Sequence, residues 1–343
     1  MNPDPGYLYT IEVKLSTQTR QNVDIYRMKF GARTLRWTDT ALLINDKPVY
    51  FRGLGKHEDS DIRCKGLDLA LLTRDFNLLR WIGANAYRTS HYPYSEESME
   101  FADEHGIMII DECALSQTNV AIDYTEELLQ NHKANMEELI HRDRNHPNVI
   151  MWSIANEPRS DAAAAIDHPI VGDGAAPHLD IVSFNRYNAW YIDVGRLDTI
   201  TNRIVEDARE YHAAYAKPMI LQEYGADTPQ GLHLLPVAVW SEEFQTQSLS
   251  KYFEAFDNLR NEGFFIGEFI WNFADFKTFQ SITRVGGNKK GVFTRNRQPK
   301  AAAHLLRKRY FQLALEIDNY RNVPDDIYEY TSQRRMNTLK EEL

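Results

Sequence analysis

Val149–Pro158 reads VIMWSIANEP, a short apolar run that ends in Asn-Glu-Pro. A second apolar run, Pro218–Gly225, reads PMILQEYG and also contains a glutamate at its end. Runs of about four to eight apolar residues that stop at Pro or Gly are typical of strands buried on both faces. Such strands form parallel sheets, and in an α/β barrel the reacting groups lie at the C-terminal ends of the strands. The two segments therefore predict a barrel with a glutamate at the end of each of two strands.

From Tyr50 onward, short apolar segments alternate with longer amphipathic segments. The predicted strands are Tyr50–Gly55, Ala84–Ser90, Ile107–Cys113, Val149–Glu157, Asp180–Tyr187, Pro218–Glu223 and Phe264–Phe273. The predicted helices are 68–82, 95–105, 125–145, 197–216, 241–261 and 299–313. Gly106 precedes the third strand directly, as expected where a helix ends in a glycine cap. Strand–helix alternation predicts parallel βαβ units, and the strands are one fewer than a closed (β/α)8 barrel requires.

The strand that is missing from this pattern belongs between the two glutamates, in fifth position. Only 28 residues lie between Asn156 and Asn185, and they must supply a helix, a strand and two loops. A βαβ unit usually takes about 30 residues or more. Ala162–Ala165 is a candidate for a helical turn and Pro169–Val171 for a short strand. The predicted fold is therefore an α/β (β/α)8 TIM barrel that is incomplete around its fifth strand.

Composition excludes several classes of protein. The net charge of −10 argues against a general nucleic-acid binder, although it allows a local basic patch that binds one acidic group. Cys64 and Cys113 are the only cysteines, too few for a disulfide framework or a metal cluster. No segment approaches the roughly 20 apolar residues of a membrane span. Residues 1–6 lack a basic region followed by an apolar one, so no signal peptide is expected.

Two carboxylates at the ends of two barrel strands are the arrangement that glycoside hydrolysis needs. Glu157 is the candidate general acid, because apolar walls and a like-charged neighbour would raise its pKa. Pro158 predicts an extended backbone at Glu157, which would aim the side chain across the barrel mouth. Glu223 is then the partner and nucleophile, provided that the carboxyl groups lie about 5–5.5 Å apart. The alternative is that each glutamate caps a helix or pairs with an arginine.

Aromatic side chains gather at the same strand ends, and sugar rings pack on such side chains. They are Tyr187, Trp190, Tyr191, Tyr224, Trp271 and Phe273. Trp190 and Phe273 are more typical of an ordinary core. His91, at the end of the second strand, is placed to bond either a substrate hydroxyl or a backbone carbonyl. His57-Glu58-Asp59 does not have the further ligands of a metal site, so no metal is expected.

The segment Arg284–Gly291 reads RVGGNKKG, and its glycines predict a loop beside the last strand. Glycines allow close approach of the backbone to a ligand, and Asn and Lys side chains are good donors to a carboxylate. A basic cluster in a net acidic chain indicates an anionic substrate. A solvated turn is the alternative.

Taken together, these motifs resemble those of the β-glucuronidases of glycoside hydrolase family 2, over residues 7–313. The motifs are Asn156-Glu157-Pro158, Gln222–Asp227, Phe184–Tyr187, Trp271–Phe276, Gly287–Gly291, Gly55–Asp59 and Thr89–Tyr94. The resemblance implies that Glu157 is the acid/base, Glu223 the nucleophile and Tyr187 a catalytic-site tyrosine. It implies substrate contacts from Asn156, His91, Tyr191, Trp271, Arg284, Asn288 and Lys290, with Asn288 and Lys290 gripping the glucuronate carboxylate. No cofactor is expected.

The resemblance also implies a domain organisation. Residues 1–36 would be the last strands of an immunoglobulin-like sandwich, residues 37–315 the catalytic barrel and residues 316–343 a tail. The family has a sugar-binding sandwich ahead of these, which this chain is expected to lack, together with the acidic residue that the sandwich lends to the site. Animal members are lysosomal homotetramers. The expected function is retaining hydrolysis of terminal β-D-glucuronides; the alternative is an inactive truncated isoform that only recognises glucuronides.

Overall fold

The computed structural model describes residues 6–19, 24–115, 125–157 and 175–329. Its strands are β1 (Tyr9–Leu15), β2 (Asp24–Phe30), β3 (Leu35–Trp37), β4 (Leu42–Ile44), β5 (Lys47–Pro48), β6 (Phe51–Lys56), β7 (Asp59–Ser60), β8 (Cys64–Lys65), β9 (Ala86–Thr89), β10 (Met108–Glu112), β11 (Val149–Ser153), β12 (Val182–Asn185), β13 (Met219–Glu223) and β14 (Phe265–Ile270). Its α-helices are α1 (Leu69–Ile82), α2 (Glu96–His105), α3 (Glu126–Asp143), α4 (Ile200–Tyr215), α5 (Glu242–Glu262) and α6 (Ala301–Asp318).

The centre of the fold is a parallel sheet of seven strands in the order β11-β10-β9-β6-β14-β13-β12. The first barrel strand, β6, pairs with the last, β14, which closes the seam where a (β/α)8 barrel begins and ends. Within the described ranges β11 and β12 are the two edges of the sheet. The predicted α/β (β/α)8 TIM barrel is therefore confirmed, while the position expected for its fifth strand lies outside the described residues. The candidate turn Ala162–Ala165 and strand Pro169–Val171 lie outside the described residues.

All six predicted helices are present, and local capping explains where they begin and end. The side chains of Asp68, Ser95 and Ser241 accept hydrogen bonds from the first turns of α1, α2 and α5. Gly106 ends α2 with a φ of +64°, so the predicted glycine cap before β10 is confirmed. No helix in the described part of the chain is both long and apolar enough to cross a membrane.

Most of the predicted strands are present but shorter, because the sequence pattern runs on past the paired residues. β6 has the predicted length but lies one residue further along the chain, and β13 keeps its predicted end at Glu223. Val149–Glu157 was too long a prediction, since pairing in β11 ends at Ser153. Asp180–Tyr187 likewise shortens to Val182–Asn185, and Phe264–Phe273 to Phe265–Ile270. The residues beyond these ends form the loops that carry the polar side chains described below.

The inside of the sheet is filled by one apolar cluster, whose members face the barrel axis. They are Leu42, Phe51, Ala86, Ile110, Ile150, Ile220, Ile266 and Phe269. Leu42 comes from the small antiparallel sheet β3-β4-β5, and Leu35 and Ile44 of the same sheet pack on this cluster. The cluster takes residues such as Ile150, Ile220 and Ile266 from the beginnings of their strands. The small sheet therefore covers the N-terminal end of the barrel and leaves the C-terminal end open.

The N-terminal residues form an antiparallel hairpin of β1 and β2, as predicted for part of residues 7–36. β3 pairs with β4 and not with this hairpin. The hairpin contacts the barrel through the Lys29–Glu104 ion pair, at 2.6 Å, and a hydrogen bond from Arg33 to the carbonyl of Val149. The division into domains at residues 36 and 315 stays a prediction.

The close packing of Gly53 against Phe269 yields a stability prediction. A Cβ added at Gly53 would lie inside the contact distance of the Phe269 ring. Gly53→Ala is therefore expected to lower the free energy of unfolding by about 1–3 kcal/mol, as overpacking does. Urea denaturation measures this change. In Gly53→Ala/Phe269→Leu the loss should be smaller than the sum of the two single losses, because the smaller side chain makes room. A strictly additive double variant would contradict this packing.

Candidate active site

Glu223 is the last residue of β13, and its carboxylate is held on both oxygens. Oε1 accepts a hydrogen bond from Nη2 of Arg88 at 2.8 Å, and Oε2 accepts one from the Tyr187 hydroxyl at 2.5 Å. The side chain is buried. Donors on both oxygens fix the orientation of the carboxylate. Glu223 therefore does pair with an arginine, as the alternative interpretation expected, but it does so inside a larger polar cluster.

Arg88 lies on β9 and is fully buried. Besides Glu223, its guanidinium donates to Oε2 of Glu112 and to Oδ1 of Asn156, both at 2.8 Å. Burial alone would lower the pKa of Arg88, but the Glu112 and Glu223 carboxylates outweigh it and raise the pKa above its ordinary value. The same pairing lowers the pKa of Glu112 to about 2, although burial acts in the opposite direction. Arg88 thus remains a cation that joins side chains from four segments of the barrel mouth.

Glu157 lies beyond the end of the edge strand β11 and is half-buried. Its Oε1 accepts a hydrogen bond at 2.9 Å from Nδ2 of Asn185, the last residue of the other edge strand. Burial, and after it the negative charge of Glu223, raises the pKa of Glu157; the Asn185 amide opposes this shift. The predicted extended backbone is wrong, because Glu157 has a φ of +44°. The preference that Pro158 imposes is local, whereas the Asn185 bond fixes where the carboxyl group lies.

The two glutamates are thus close enough to influence each other and have unlike surroundings. Glu223 is bonded by a cation, whereas Glu157 is bonded by a neutral amide. Carboxyl groups with unlike surroundings can take different roles in acid–base chemistry. This division suits a nucleophile beside a general acid.

Three further predicted residues surround the Arg88 cluster. Asn156 is buried and accepts from Arg88, as described above. The backbone N–H of His91 donates to Oε1 of Glu112 at 2.9 Å, and its ring lies 5.0 Å from the Trp271 ring. Trp271 is buried, with the Arg88 guanidinium 5.7 Å from its ring centre. All three therefore support the polar cluster, and their contacts with a substrate remain predictions.

The loop predicted to bind an acid carries a buried cation. Lys290 pairs with Asp227, and its ammonium donates to the Tyr191 hydroxyl at 2.8 Å. Arg284 donates to the same hydroxyl at 2.6 Å and to Asp227 at 3.3 Å. Burial lowers the pKa of Lys290 to about 8, with Asp227 acting against the shift. Two cations therefore share one carboxylate, which leaves an excess positive charge at this side of the mouth.

Asn288 holds the backbone of this loop. Its Oδ1 accepts from the backbone N–H of Lys290 at 3.0 Å, and its own N–H donates to the carbonyl of Phe276 at 2.9 Å. The buried Asn288 side chain thus orders the turn that presents Lys290. Trp190 is buried in the core, as predicted, although its ring also lies 5.0 Å from the Lys290 ammonium. Phe273 is buried core as well.

Comparison with models of known protein families identifies the family of this chain. The model for the TIM barrel domain of glycosyl hydrolases family 2 matches residues 35–315. The chain belongs to glycoside hydrolase family 2. The β-glucuronidase of Chlorocebus aethiops is 46% identical over 341 residues, which cover 92% of this chain and 52% of that protein. The β-glucuronidase of Homo sapiens is 45% identical with the same coverage. The chain therefore spans about half the length of these relatives.

Solved structures of β-glucuronidases share the fold of this family 2 chain. The enzyme of an uncultured Clostridium sp. superposes with a TM-score of 0.83 at 43% identity, over 90% of this chain and 58% of that one. The Ruminococcus gnavus enzyme in complex with D-glucuronic acid has a TM-score of 0.80 at 39% identity, over 89% and 56% of the two chains.

Sequence reasoning about this family 2 chain missed four residues of the site. They are Arg88, Glu112, Asn185 and Asp227. A signal for the first two was present, because each is a charged residue inside or at the end of an otherwise apolar strand. Asn185 lies in the Phe184–Tyr187 motif and Asp227 in the Gln222–Asp227 motif, but neither residue had a predicted role. Their roles depend on which strands meet, which local pattern does not give.

The Asn185–Glu157 bond yields a prediction about protonation. Glu157 is expected to titrate above its ordinary pKa, and Asn185→Ala should raise that pKa further, since it removes the amide that lowers it. A ¹³C NMR titration of the glutamate carboxyl carbons, assigned with Glu157→Gln, measures both values. Asn202→Ala, on the exposed face of α4, is the matched control and should leave the titration unchanged. A lower or unchanged pKa in Asn185→Ala would contradict the assigned bond.

Proposed function

We propose that this chain is a retaining β-glucuronidase. Its substrates would be terminal β-D-glucuronides, either glycosaminoglycan ends or small glucuronide conjugates. The observation that carries the proposal is the unequal bonding of the two glutamates: Glu223 is held by the Arg88 cation, and Glu157 by a neutral amide. The family membership and the β-glucuronidase relatives support the same activity. Lysosomal location and a homotetramer, properties implied by the family, stay predictions.

In the proposed double displacement, ionised Glu223 attacks the anomeric carbon of the sugar. Protonated Glu157 gives its proton to the departing glycosidic oxygen, and a covalent glycosyl-enzyme forms. Glu157, now a carboxylate, then removes a proton from water, which attacks the same carbon and releases Glu223. The raised pKa of Glu157 supports its first role, since it keeps the proton available. A carboxyl group in this role is effective when its pKa lies near the working pH.

Tyr187 would keep the nucleophile in place during this cycle. Its hydroxyl donates to Oε2 of Glu223, and burial with the Glu223 charge raises the tyrosine pKa well above its ordinary value. The phenol therefore stays protonated and remains a donor. Holding the attacking carboxylate in one orientation keeps it close to the geometry in which it reacts.

The specificity for an acidic sugar would come from Lys290, Arg284 and Asn288. The two cations share Asp227, so together they retain positive charge for an incoming carboxylate. Arg284 and Lys290 both donate to Tyr191, which places their charged ends side by side. Charge-assisted hydrogen bonds of this kind are about twice as strong as neutral ones. A neutral hexose would leave these cations without that partner.

The second candidate function is recognition of glucuronides without hydrolysis. The observation that favours it is the position of Glu157, which follows β11, a strand at the edge of the sheet that the described residues form. Glu223 is better supported, because β13 is paired on both sides. If the acid group moves by about 1 Å from its reactive position, the rate can fall by about 100-fold.

Turnover of 4-nitrophenyl β-D-glucuronide separates the two candidates. The proposed enzyme hydrolyses it, and Glu157→Gln lowers kcat by about 100-fold or more, as expected for loss of a general acid–base group. Glu223→Gln should lower kcat further, because no covalent intermediate can form. Glu206→Gln, an exposed glutamate on α4, is the control and keeps wild-type turnover.

Absence of turnover in a chain that unfolds cooperatively and still binds glucuronide would establish the second candidate instead. Turnover that survives in both Glu157→Gln and Glu223→Gln would contradict the assigned roles.

A further inference from the structure

Lys300 lies directly before α6 and is buried, with its ammonium between the loop after β13 and the loop after β14. Nζ donates to the carbonyl of Thr228 at 2.7 Å, to Oδ1 of Asp275 at 2.8 Å and to the carbonyl of Lys289 at 2.9 Å. A lysine ammonium has three N–H donors and no acceptor. Each of its donors therefore has a partner, in three different segments of the chain.

Two of these partners are next to residues of the acid-binding site. Thr228 follows Asp227, and Lys289 precedes Lys290. The N–H of Thr228 also donates to the Lys289 carbonyl at 2.9 Å, and the N–H of Lys289 donates to Oδ1 of Asp227 at 2.6 Å. The Lys289 carbonyl thus accepts from both Thr228 and Lys300. The ammonium fastens the loop after β13 to the loop after β14 at the point where Asp227 meets Lys290.

We propose that Lys300 is a positioning residue that sets the selectivity of this site for acidic over neutral sugars. The inference rests on the proposed function, because it concerns the same carboxylate-binding group. Asp227 holds the charged ends of Lys290 and Arg284 in place. Lys300 fixes the distance between the loop that carries Asp227 and the loop that carries both cations. Lys300 itself lies behind the loops and acts through Asp227 and Lys290.

A purely space-filling role fits this side chain poorly. A buried ammonium is costly unless its donors are satisfied and its charge is paired. Here Asp275 supplies the countercharge, and the other two bonds go to backbone carbonyls of the acid-binding loops. Replacing a buried ion pair by well-packed hydrophobic side chains of similar volume is often neutral for stability, because no charge is left unpaired. Replacing both residues can therefore remove the three hydrogen bonds of the ammonium and still leave a folded chain.

The test variant is Lys300→Met/Asp275→Asn, which removes both charges and keeps the side-chain volumes similar. Asp275→Asn alone is the matched control, because it retains the ammonium and its two backbone bonds. A second control, Arg309→Met/Glu268→Gln, removes a buried ion pair between α6 and β14 that lies apart from the acid-binding loops. Lys300→Gln/Asp275→Asn replaces the first variant if that one does not unfold cooperatively.

The readout is the ratio of two dissociation constants, measured by calorimetry with uncleavable 4-nitrophenyl 1-thio-β-D-glucuronide and 4-nitrophenyl 1-thio-β-D-glucoside. Wild-type chain should prefer the glucuronide, and the double variant should lose at least tenfold of that preference, about 1.4 kcal/mol. Both controls should keep the preference within threefold, even where the melting temperature falls.

A preference kept within threefold in the double variant would overturn the inference, as would an equal loss in the Arg309→Met/Glu268→Gln control. A wild-type chain without any preference would overturn it too. Selective binding without turnover would contradict the proposed hydrolysis and leave the inference on Lys300 standing. Turnover by the wild-type chain, together with unchanged selectivity in the double variant, would support the proposed hydrolysis and contradict the inference on Lys300.

Discussion

The buried guanidinium of Arg88 is the interaction on which the site depends. Two carboxylates, Glu112 and Glu223, lie against it, and without this cation they would be left as buried, unpaired charges, which is strongly destabilising. Because Arg88 also bonds Asn156, it connects the strand that ends in Glu223 to the segment that carries Glu157. Glu157 receives its own hydrogen bond from a neutral amide instead. The resulting difference between the two glutamates is what a division into nucleophile and acid requires.

The barrel supports these two groups unequally. Glu223 ends a strand with neighbours on both sides, and its segment is anchored by the apolar layer between sheet and helices. Glu157 follows an edge strand, and its bond to Asn185 links the two edges that the described strands leave open. This side-chain hydrogen bond connects the segment after β11 to the end of β12. The proposed activity depends on whether that bond keeps the carboxyl group of Glu157 in reach of the glycosidic oxygen.

Most of the framework could be predicted from the sequence, because strand and helix periodicity are local properties. The apolar runs Val149–Glu157 and Pro218–Glu223 located their strands, and Gly106 marked the junction before β10. The partners of the site could not be predicted in this way. Arg88 and Glu223 are separated by 135 positions in the chain and meet only because the sheet curls. The left-handed backbone of Glu157 likewise reflects a tertiary contact that overrides the local preference imposed by Pro158.

The central claim, that Glu223 is a nucleophile held ready by Arg88, is tested most directly by trapping the intermediate. A 2-deoxy-2-fluoro-β-D-glucuronyl fluoride forms its glycosyl-enzyme faster than water can release it, so the adduct should accumulate. Intact mass spectrometry should show one added sugar per chain, and peptide mapping should place it on Glu223. An adduct on another residue, or no adduct in a chain that hydrolyses glucuronides, would contradict this account.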